Sequence, residues 1–328
     1  MTKTAAPMTS GSIWKQMTFF AMPIFLGNLF QQLYNTVDSL IVGNFLGSSA
    51  LAAVSSSGSL IFMLIGFLSG ISAGAGVIVA RFFGAGDEKN LQRAVHTTVA
   101  FGLVAGVLMT GVGVALSPQI LRWMDTPESV MRESVTYLQI YFAGSLGFVM
   151  YNVLVGILQA VGDSRHPLYY LIVSSVINLV LDLLFITGFH TGVGGAAVAT
   201  VISQIVSALL CFWQLLRTKE SYGLKIRKIR FDKGILVQII KIGLPSGVQN
   251  SIIAFANVIV QSNINAFGEM AMAGYGAYTK VEGFGFLPIN SFTMALTTFV
   301  GQNLGAKQEE RTKKGRDLEF SQQLYWQN

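Results

Sequence analysis

Residues 27–43 read GNLFQQLYNTVDSLIVG, and they lie inside an apolar stretch of about thirty residues. Such a stretch can cross a bilayer as a helix, because about 20 helical residues span the hydrocarbon core. A charged side chain at the centre of a membrane helix costs about 2.5–3.5 kcal/mol on insertion scales, so polar residues there indicate a function. This stretch carries a row of amides and then a carboxylate: Asn28, Gln31, Gln32, Asn35 and Asp38.

The composition is that of a multi-pass membrane protein. Charged residues make up 12% of the chain and apolar residues 52%, whereas about 25% of a typical soluble domain is charged. Apolar segments long enough to span predict a helical protein of the cell membrane and argue against a soluble enzyme. The eight approximate spans are 17–45, 51–80, 93–116, 134–160, 167–189, 194–216, 235–266 and 272–302.

Basic residues alternate between the two sides of these spans. Of the 22 lysines and arginines, 19 lie at the N-terminus, in alternate connections or at the start of span seven, and only Arg122 and Arg132 lie on the other side. The positive-inside rule therefore predicts a cytoplasmic N-terminus. The net charge of +6 is explained by topology, so we expect no nucleic-acid partner. The densest run, 217–233, is interpreted as a solvated linker, with binding to anionic lipid as a second possibility.

Residue types also limit the cofactors. The chain has one cysteine, Cys211, and its three histidines are scattered, so neither a disulfide within the chain nor a metal cluster is expected. No nucleotide-binding motif is present in the sequence. We expect no resident cofactor and no obligate protein partner. If the function of the chain requires energy, an ion gradient is the expected source.

The chain contains an internal repeat at a spacing of 221–222 residues. Six spans intervene, so both copies begin on the same side of the membrane and the repeat is parallel. Such a repeat predicts two bundles related by a pseudo-twofold axis along the membrane normal, with a central cavity. Matching pairs are Pro23 with Pro245, Asn28 with Asn250, Asn35 with Asn257, and Gly84 with Gly305.

The repeat predicts the domain organisation of an all-α bundle. Two complete copies would need roughly 440 residues, whereas the chain has 328. We interpret the chain as truncated after the eighth helix; the alternative is a natural eight-span protein. The expected parts are a six-helix N-lobe at 1–216, a basic cytoplasmic linker at 217–234, the first two helices of a C-lobe at 235–303, and a polar cytoplasmic tail at 304–328.

Two acids lie inside the spans of the first copy, Asp38 and Asp182. Counting 1.5 Å per residue places both about 12 Å below the outer surface, with Thr200 about 9 Å below it. Asn178 stands four residues before Asp182 and shares its helical face. Two carboxyl groups at one depth can share a proton or hold a cation such as Na⁺ between them. The alternative is a buried pair that only bridges helices through hydrogen bonds.

The second copy lacks the acid, because Val260 stands where Asp38 would recur. This difference predicts an ion site in the N-lobe alone. Polar residues elsewhere in the spans are expected to line the central cavity. They are Gln31, Asn35, Asn257, Gln261, Lys280 and Glu282; for the last two, the alternative is a lysine that reaches the interface and a glutamate that pairs with another helix.

Small residues and prolines suggest two further features. Pro23 and Gly27 lie in the first span, and we hypothesise that protonation of Asp38 changes the bend there and so links ion binding to the release of a molecule held in the central cavity. The alternative is a static kink. Glycines recur every four residues at Gly66, Gly70 and Gly74, which predicts close helix packing.

Five segments, in order and at these spacings, resemble the multidrug and toxic compound extrusion (MATE) family, close to its bacterial branch. The resemblance covers about 13–316 and implies twelve helices in two six-helix lobes. It also implies efflux of organic cations or polyaromatic compounds, driven by inward H⁺ or Na⁺. Its N-lobe cation site matches Asp38, Asn178, Asp182, Thr200 and, deeper, Asn152. The segments are MPIFLGNLFQQLYNTVDSLIVGNFLG, ILQAVGDSRHP, VINLVLDLLFI, GVGGAAVATVISQ and LPINSFTMALTTFVGQNLGA.

Two other functions stay open at this point. One is a lipid-linked oligosaccharide flippase of a related fold, which would favour a basic cavity for pyrophosphate. The intramembrane balance of three acids against one lysine favours cationic cargo instead. The other is a truncated fragment that inserts into the membrane and transports nothing.

Overall fold

The computed structural model describes residues 7–124, 126, 128–265 and 269–327, apart from some side chains in α2, α8, α9 and α10. This part of the chain is helical, with no strand. Its helices are α1 (Ile13–Leu46), α2 (Ser48–Gly84), α3 (Glu88–Trp123), α4 (Glu128–Ala143), α5 (Ser145–Ala160), α6 (Arg165–Leu183), α7 (Val193–Arg217), α8 (Lys233–Asn265), α9 (Glu269–Gly305) and α10 (Glu309–Gln327).

Each predicted span coincides with a helix, and the fourth is broken. Helices α4 and α5 meet at an angle of 49°, where a side chain on Gly144 would overlap Val201 of α7. Six described helices are long and apolar enough to cross a membrane, or seven if the bent pair is one span. Helix α1 is 34 residues long and falls outside this set because the polar residues from Asn28 to Asp38 reduce its apolarity. The tail after residue 308, expected only to be polar, is the helix α10.

The two copies of the repeat pack against each other through two pairs of helices. Helix α2 packs against α8, and α1 packs against α9. Because α8 repeats α1 and α9 repeats α2, each copy presents its first helix to the second helix of the other. This pattern is the one expected for a parallel repeat about a twofold axis.

The packing of α2 on α8 is backbone against backbone. A Cβ atom added to Gly70 would overlap the backbone of Gly247, and one added to Gly74 would overlap that of Gly243. One turn further along, Asn250 Nδ2 donates to the Gly66 carbonyl at 3.1 Å. The close packing predicted from the glycine spacing is thus confirmed, with α8 as the partner helix.

The N-terminal segment, residues 7–12, is fixed at the basic end of the bundle. Met8 N–H donates to Gln302 Oε1 at 2.7 Å, and Gln302 Nε2 donates to the Ala160 carbonyl at 2.8 Å. Asn303 Nδ2 donates to the Met8 carbonyl at 3.1 Å, and Arg311 Nη1 donates to the Gly11 carbonyl at 2.8 Å. The side chains of Met8, Gln302 and Asn303 are buried. These bonds join the start of the chain to both lobes.

The basic linker is packed against α3 and is less solvated than the sequence suggested. Tyr222 and Leu224 are buried, and the Lys225 N–H donates to His96 Nε2 at 3.0 Å. Two apolar side chains in the middle of a charged run explain the difference, since they bury against the core of the N-lobe. Its basic side chains, Lys225, Arg227, Lys228 and Arg230, remain exposed.

Candidate ion-coupling site

Two acids from distant parts of the chain meet between α1 and α6. The carboxyl groups of Asp38 and Asp182 lie within hydrogen-bonding reach of each other. Asp182 is fully buried. One buried oxygen of each carboxyl group, Oδ1, has no hydrogen-bond partner among the described residues. Buried acceptors without a donor are costly, so a pair of them indicates room for a proton or a cation.

Asn178 and Thr200 complete the surroundings of this pair. With its amide nitrogen directed at the acid, Asn178 donates to Asp182 Oδ2 at 2.8 Å and accepts from the Thr200 N–H at 3.1 Å. This orientation is assigned from the hydrogen-bond network. The hydroxyl of Thr200 donates to the Ala196 carbonyl at 3.0 Å. Four of the five residues of the predicted ion site are thus brought together by α1, α6 and α7.

Tyrosines enclose the acids, and they were not among the site residues predicted from the sequence. The same Asn178 nitrogen lies 3.2 Å from Tyr34 Oη. Tyr34 stands four residues before Asp38, so it shares that helical face, and this spacing could have found it. From α4, Tyr137 lies close to both acids and is buried. The acids therefore sit among hydroxyl and amide groups inside an apolar shell.

The end of α6 departs from regular helix next to the site. A π-helical turn, Leu184–Gly188, begins two residues after Asp182. Its wider spacing is seen in the bond from the Phe189 N–H to the Leu184 carbonyl, at 2.9 Å. Turns of this kind occur frequently at functional sites, because they re-aim the side chains beside them.

No described lysine, arginine or histidine forms an ion pair with Asp38 or Asp182. The pair is therefore not neutralised by a fixed cation within the described part of the chain. The matching position of the second copy, Val260, is exposed. The acid pair lies in the N-lobe, and its function as an ion site stays a prediction.

A separate cavity of about 380 Å³ lies between α1, α2, α5, α6 and α9. It occupies the half of the bundle nearer the basic end. None of its lining residues is charged. Asn152 lines this cavity, and its amide donates to the Phe148 carbonyl of its own helix at 2.9 Å; its part in the ion site stays a prediction. Polar lining residues include Asn28, Gln31, Asn152, Gln159, Ser164 and Thr298.

The remaining residues expected in a cavity are placed as follows. Gln31 lines the cavity just described, whereas Asn35 and Asn257 are exposed and lie outside it. Glu282 accepts a hydrogen bond from Tyr278 Oη at 2.9 Å, one turn away on α9, and is also outside the cavity. The side chains of Gln261 and Lys280 lie outside the described residues.

The proposed hinge lies within a continuous helix. Pro23 is inside α1 and lines the uncharged cavity. Gly27 is buried, and a methyl group there would lie 3.6 Å from Leu171 and 3.7 Å from Leu168, which is ordinary contact. Pro23 leaves one helical hydrogen bond unmade, so bending at this turn costs less than elsewhere. The change of bend stays a prediction.

Comparison with known proteins places this geometry in a family. A family model described as MatE matches residues 23–184 and 245–315. The chain is 34% identical over 310 residues to the probable multidrug resistance protein YoeA of Bacillus subtilis (strain 168), covering 92% of this chain and 67% of that protein. It is 32% identical over 307 residues to the probable multidrug resistance protein YpnP of the same organism, covering 94% and 68%.

A solved structure gives the same result for the fold. The structure described as the outward-facing conformation of a multidrug resistance MATE family transporter of the MOP superfamily has a TM-score of 0.90 and 25% identity, covering 98% of this chain and 71% of that chain. The chain thus spans about two thirds of the length of its curated relatives. The chain is a multi-pass membrane protein that belongs to the MATE family of transporters.

Proposed function

We propose that this chain exports organic cations or polyaromatic compounds across the cell membrane in exchange for inward H⁺ or Na⁺. Multidrug efflux is supported at the level of the family by the names of its relatives. The coupling to an ion is supported by one observation, the meeting of Asp38 and Asp182 with an unpartnered buried oxygen on each.

The chemistry of the pair suits a transported cation. Two carboxylates in contact repel each other unless a proton or a cation lies between them. A hard cation prefers oxygen ligands, and the hydroxyl of Thr200 supplements the carboxylate oxygens on this site. Asn178 holds Asp182 in place through its amide. In this proposal the ion is cargo, and the site needs no resident cofactor.

The uncharged cavity supports a small organic cargo. Its volume of about 380 Å³ falls within the usual range of small-molecule sites, about 300–1,000 Å³. Amide, hydroxyl and apolar groups line it, and Tyr151 adds an aromatic face. A flippase for a pyrophosphate-linked lipid would need cationic groups, and the lining contains no lysine or arginine. The cavity therefore favours drug-like cargo over that alternative.

Orientation follows from the basic residues. The N-terminal segment and the basic linker lie at the same end as the uncharged cavity, and we assign this end to the cytoplasm. The acid pair then lies in the outer half of the membrane, about 10 Å along α1 from Gln31. In this proposal, drug and ion thus occupy different levels of the bundle, with α1 in contact with both.

The test is transport into everted membrane vesicles, with ethidium as the probe. The sodium gradient and the pH gradient are collapsed separately. We expect accumulation to stop in only one of the two cases, and that case identifies the driving ion. We expect Asp38→Asn to reduce the rate to that of vesicles without the protein. The matched control is Asp87→Asn, which removes a charge at the α2–α3 turn and keeps the N-cap of α3. An Asp38→Asn rate equal to the parent's contradicts ion coupling at this site.

The same assay addresses the non-transporting alternative. Because the chain spans about two thirds of its relatives' length, it is compared with a version extended by the unmatched third of YoeA. Gradient-dependent accumulation by the chain itself excludes the non-transporting alternative. Accumulation only by the extended version supports it for this chain, and the effect of Asp38→Asn is then measured in the extended version.

A further inference from the structure

A second cavity, of about 370 Å³, opens at the basic end of the bundle and has no role in the transport steps above. It lies between the α2–α3 turn and the first turns of α8. The volume is about ten times the ~30 Å³ that one water molecule occupies in the liquid, so it can hold a polar group of several atoms. Its polar lining consists of Arg81, Asn90, Arg93, Asp232 and Gln238.

The charges of this cavity leave one arginine available. Arg93 Nη1 lies 3.7 Å from Asp232 Oδ2, and the other oxygen of Asp232 accepts from the Ile235 N–H at 3.2 Å. Asp232 is therefore used in capping α8 and in pairing with Arg93. The guanidinium of Arg81 has neither a hydrogen bond nor an ion pair among the described residues and is exposed. A free planar guanidinium with a second arginine beside it is suited to binding phosphate oxygens.

The surroundings add positive potential. Arg230 and Lys233 flank Asp232 in the chain, and both are exposed. The α2–α3 turn also carries two acids, Asp87 and Glu88. The carboxylate of Asp87 accepts bonds from Asn90, at 3.1 Å from its N–H and 2.7 Å from its amide nitrogen. It is therefore occupied within the turn, and the cations dominate at the cavity.

The depth of this cavity in the membrane indicates which kind of ligand can reach it. Arg81 lies in the last turn of a segment apolar enough to span the membrane, Gly66–Gly84, and the other wall begins another, Lys233–Asn257. The cavity is thus at the level of lipid headgroups. Its apolar wall is formed by Phe82 and Ile235, which suits the glycerol and upper acyl carbons of a lipid and offers nothing to a free anion.

We propose that this cavity binds the headgroup of an anionic phospholipid, with the phosphate on Arg81 and Arg93. Gln238 and Asn90 supply amide donors beside it. Arg81 and Arg93 belong to the N-lobe and Gln238 to the C-lobe, so a bound headgroup joins the two lobes at the cytoplasmic end. This site is independent of the ion site, because it shares no residue with it.

The experiment measures lipid retention by the purified full chain with native mass spectrometry. The chain in neutral detergent is titrated with phosphatidylglycerol or with phosphatidylcholine. We expect tighter retention of phosphatidylglycerol. Removal of one surface arginine by Arg81→Gln or Arg93→Gln is expected to weaken it about fivefold. The matched control is Arg227→Gln with Lys228→Gln, which removes two exposed linker charges outside the cavity and is expected to weaken retention less than either single test variant. Equal losses in control and test variants overturn the proposal.

The substitution Asp232→Asn is expected to change lipid retention in the opposite direction. Asparagine keeps the N-cap of α8 and removes the only carboxylate among the lining residues of this cavity, so phosphatidylglycerol should be retained more tightly. Weaker retention in this variant contradicts the site. Inorganic phosphate distinguishes the source of the anion: a lipid site keeps its phosphatidylglycerol when phosphate is added in excess. Complete displacement by phosphate overturns the lipid proposal.

Discussion

Gln302 of α9 donates a hydrogen bond to the carbonyl of Ala160 at the end of α5, across 2.8 Å and 142 residues of sequence. The same fully buried side chain accepts the N–H of Met8 at 2.7 Å. One amide therefore holds the N-terminal segment against both lobes at the basic end. Helices α2 and α9 also approach closely there, with Gly84 against the backbone of Gln302, so the two lobes are in contact at this end.

Replacing this amide should loosen the contact between the two lobes at this end. In Gln302→Ala, the Met8 N–H and the Ala160 carbonyl lose their buried partner, which is expected to cost about 2–4 kcal/mol. We expect a lower melting temperature in detergent and faster proteolysis of the N-terminal segment. Gln308→Ala is the control, because its side chain makes no hydrogen bond with described residues. A melting temperature equal in the two variants contradicts the role of Gln302.

The two acids should act as one unit. We expect Asp182→Asn to abolish gradient-driven ethidium transport, as Asp38→Asn does, and the double variant to be no worse than either single one. Residues that share one site give non-additive losses. Binding of ethidium by the purified variants is measured in parallel and should persist, since neither acid lines the uncharged cavity. Losses that add independently indicate two separate sites.

Tyr34 is expected to be a positioning residue for the ion. Tyr34→Phe removes the hydroxyl near Asn178 Nδ2 and leaves the ring, and the loss of one hydrogen bond corresponds to about a threefold to tenfold change. We expect the ion concentration that gives half-maximal transport to rise by that factor. The ethidium concentration that gives half-maximal transport should not change. Tyr169→Phe, an exposed tyrosine of α6, is the control. A change confined to the ethidium dependence would assign Tyr34 to the drug site instead.

The glycine seam between α2 and α8 should not tolerate a methyl group. Gly70→Ala forces an atom into the backbone of Gly247, and we expect destabilisation of about 1–3 kcal/mol. Gly111→Ala on α3 is the matched control, because a Cβ there meets no atom within 4 Å. Removing a glycine from a helix interior should stabilise that variant by about 0.5–1 kcal/mol. Thermal unfolding of both in detergent gives the comparison.

The hinge hypothesis predicts a change along α1 with protonation. Single cysteines are placed along residues 24–36 and labelled with a maleimide in acidic and in mildly basic buffer. We expect the reactive positions to differ between the two buffers, and the difference to disappear in Asp38→Asn. The same labelling pattern in both buffers would show that Pro23 marks a static kink.

Much of the site was predictable because its residues obey one-dimensional rules. Helical spacing grouped Asn178 with Asp182, and counting depth at 1.5 Å per residue put Asp38 and Thr200 at a comparable level. The structure brings these four together. Tyr34 obeys the same spacing rule and was missed because a tyrosine in an apolar span reads as an interface or core residue.

Other features depend on contacts that no local pattern contains. The break between α4 and α5 lies at Gly144, where no proline marks it, and the side chain of Val201 on another helix occupies the space that a Cβ at this position would need. Gln302 bonds to residues 142 and 294 positions away. The presence of a glutamine near the end of a span does not predict either of these partners. Asn152 was assigned to the ion site by resemblance, and its own helix directs it to the uncharged cavity.

Helices α8 and α9 touch each other at few points, while each packs extensively against the N-lobe. During synthesis the N-lobe helices leave the ribosome first. The first copy of the repeat is then a template on which the second copy is assembled helix by helix as it enters the bilayer. Membrane insertion and lobe pairing thus become one process. Substitutions on the face of α2 that packs against α8 and α9 would therefore impair assembly of the protein in the membrane, before any transport cycle begins.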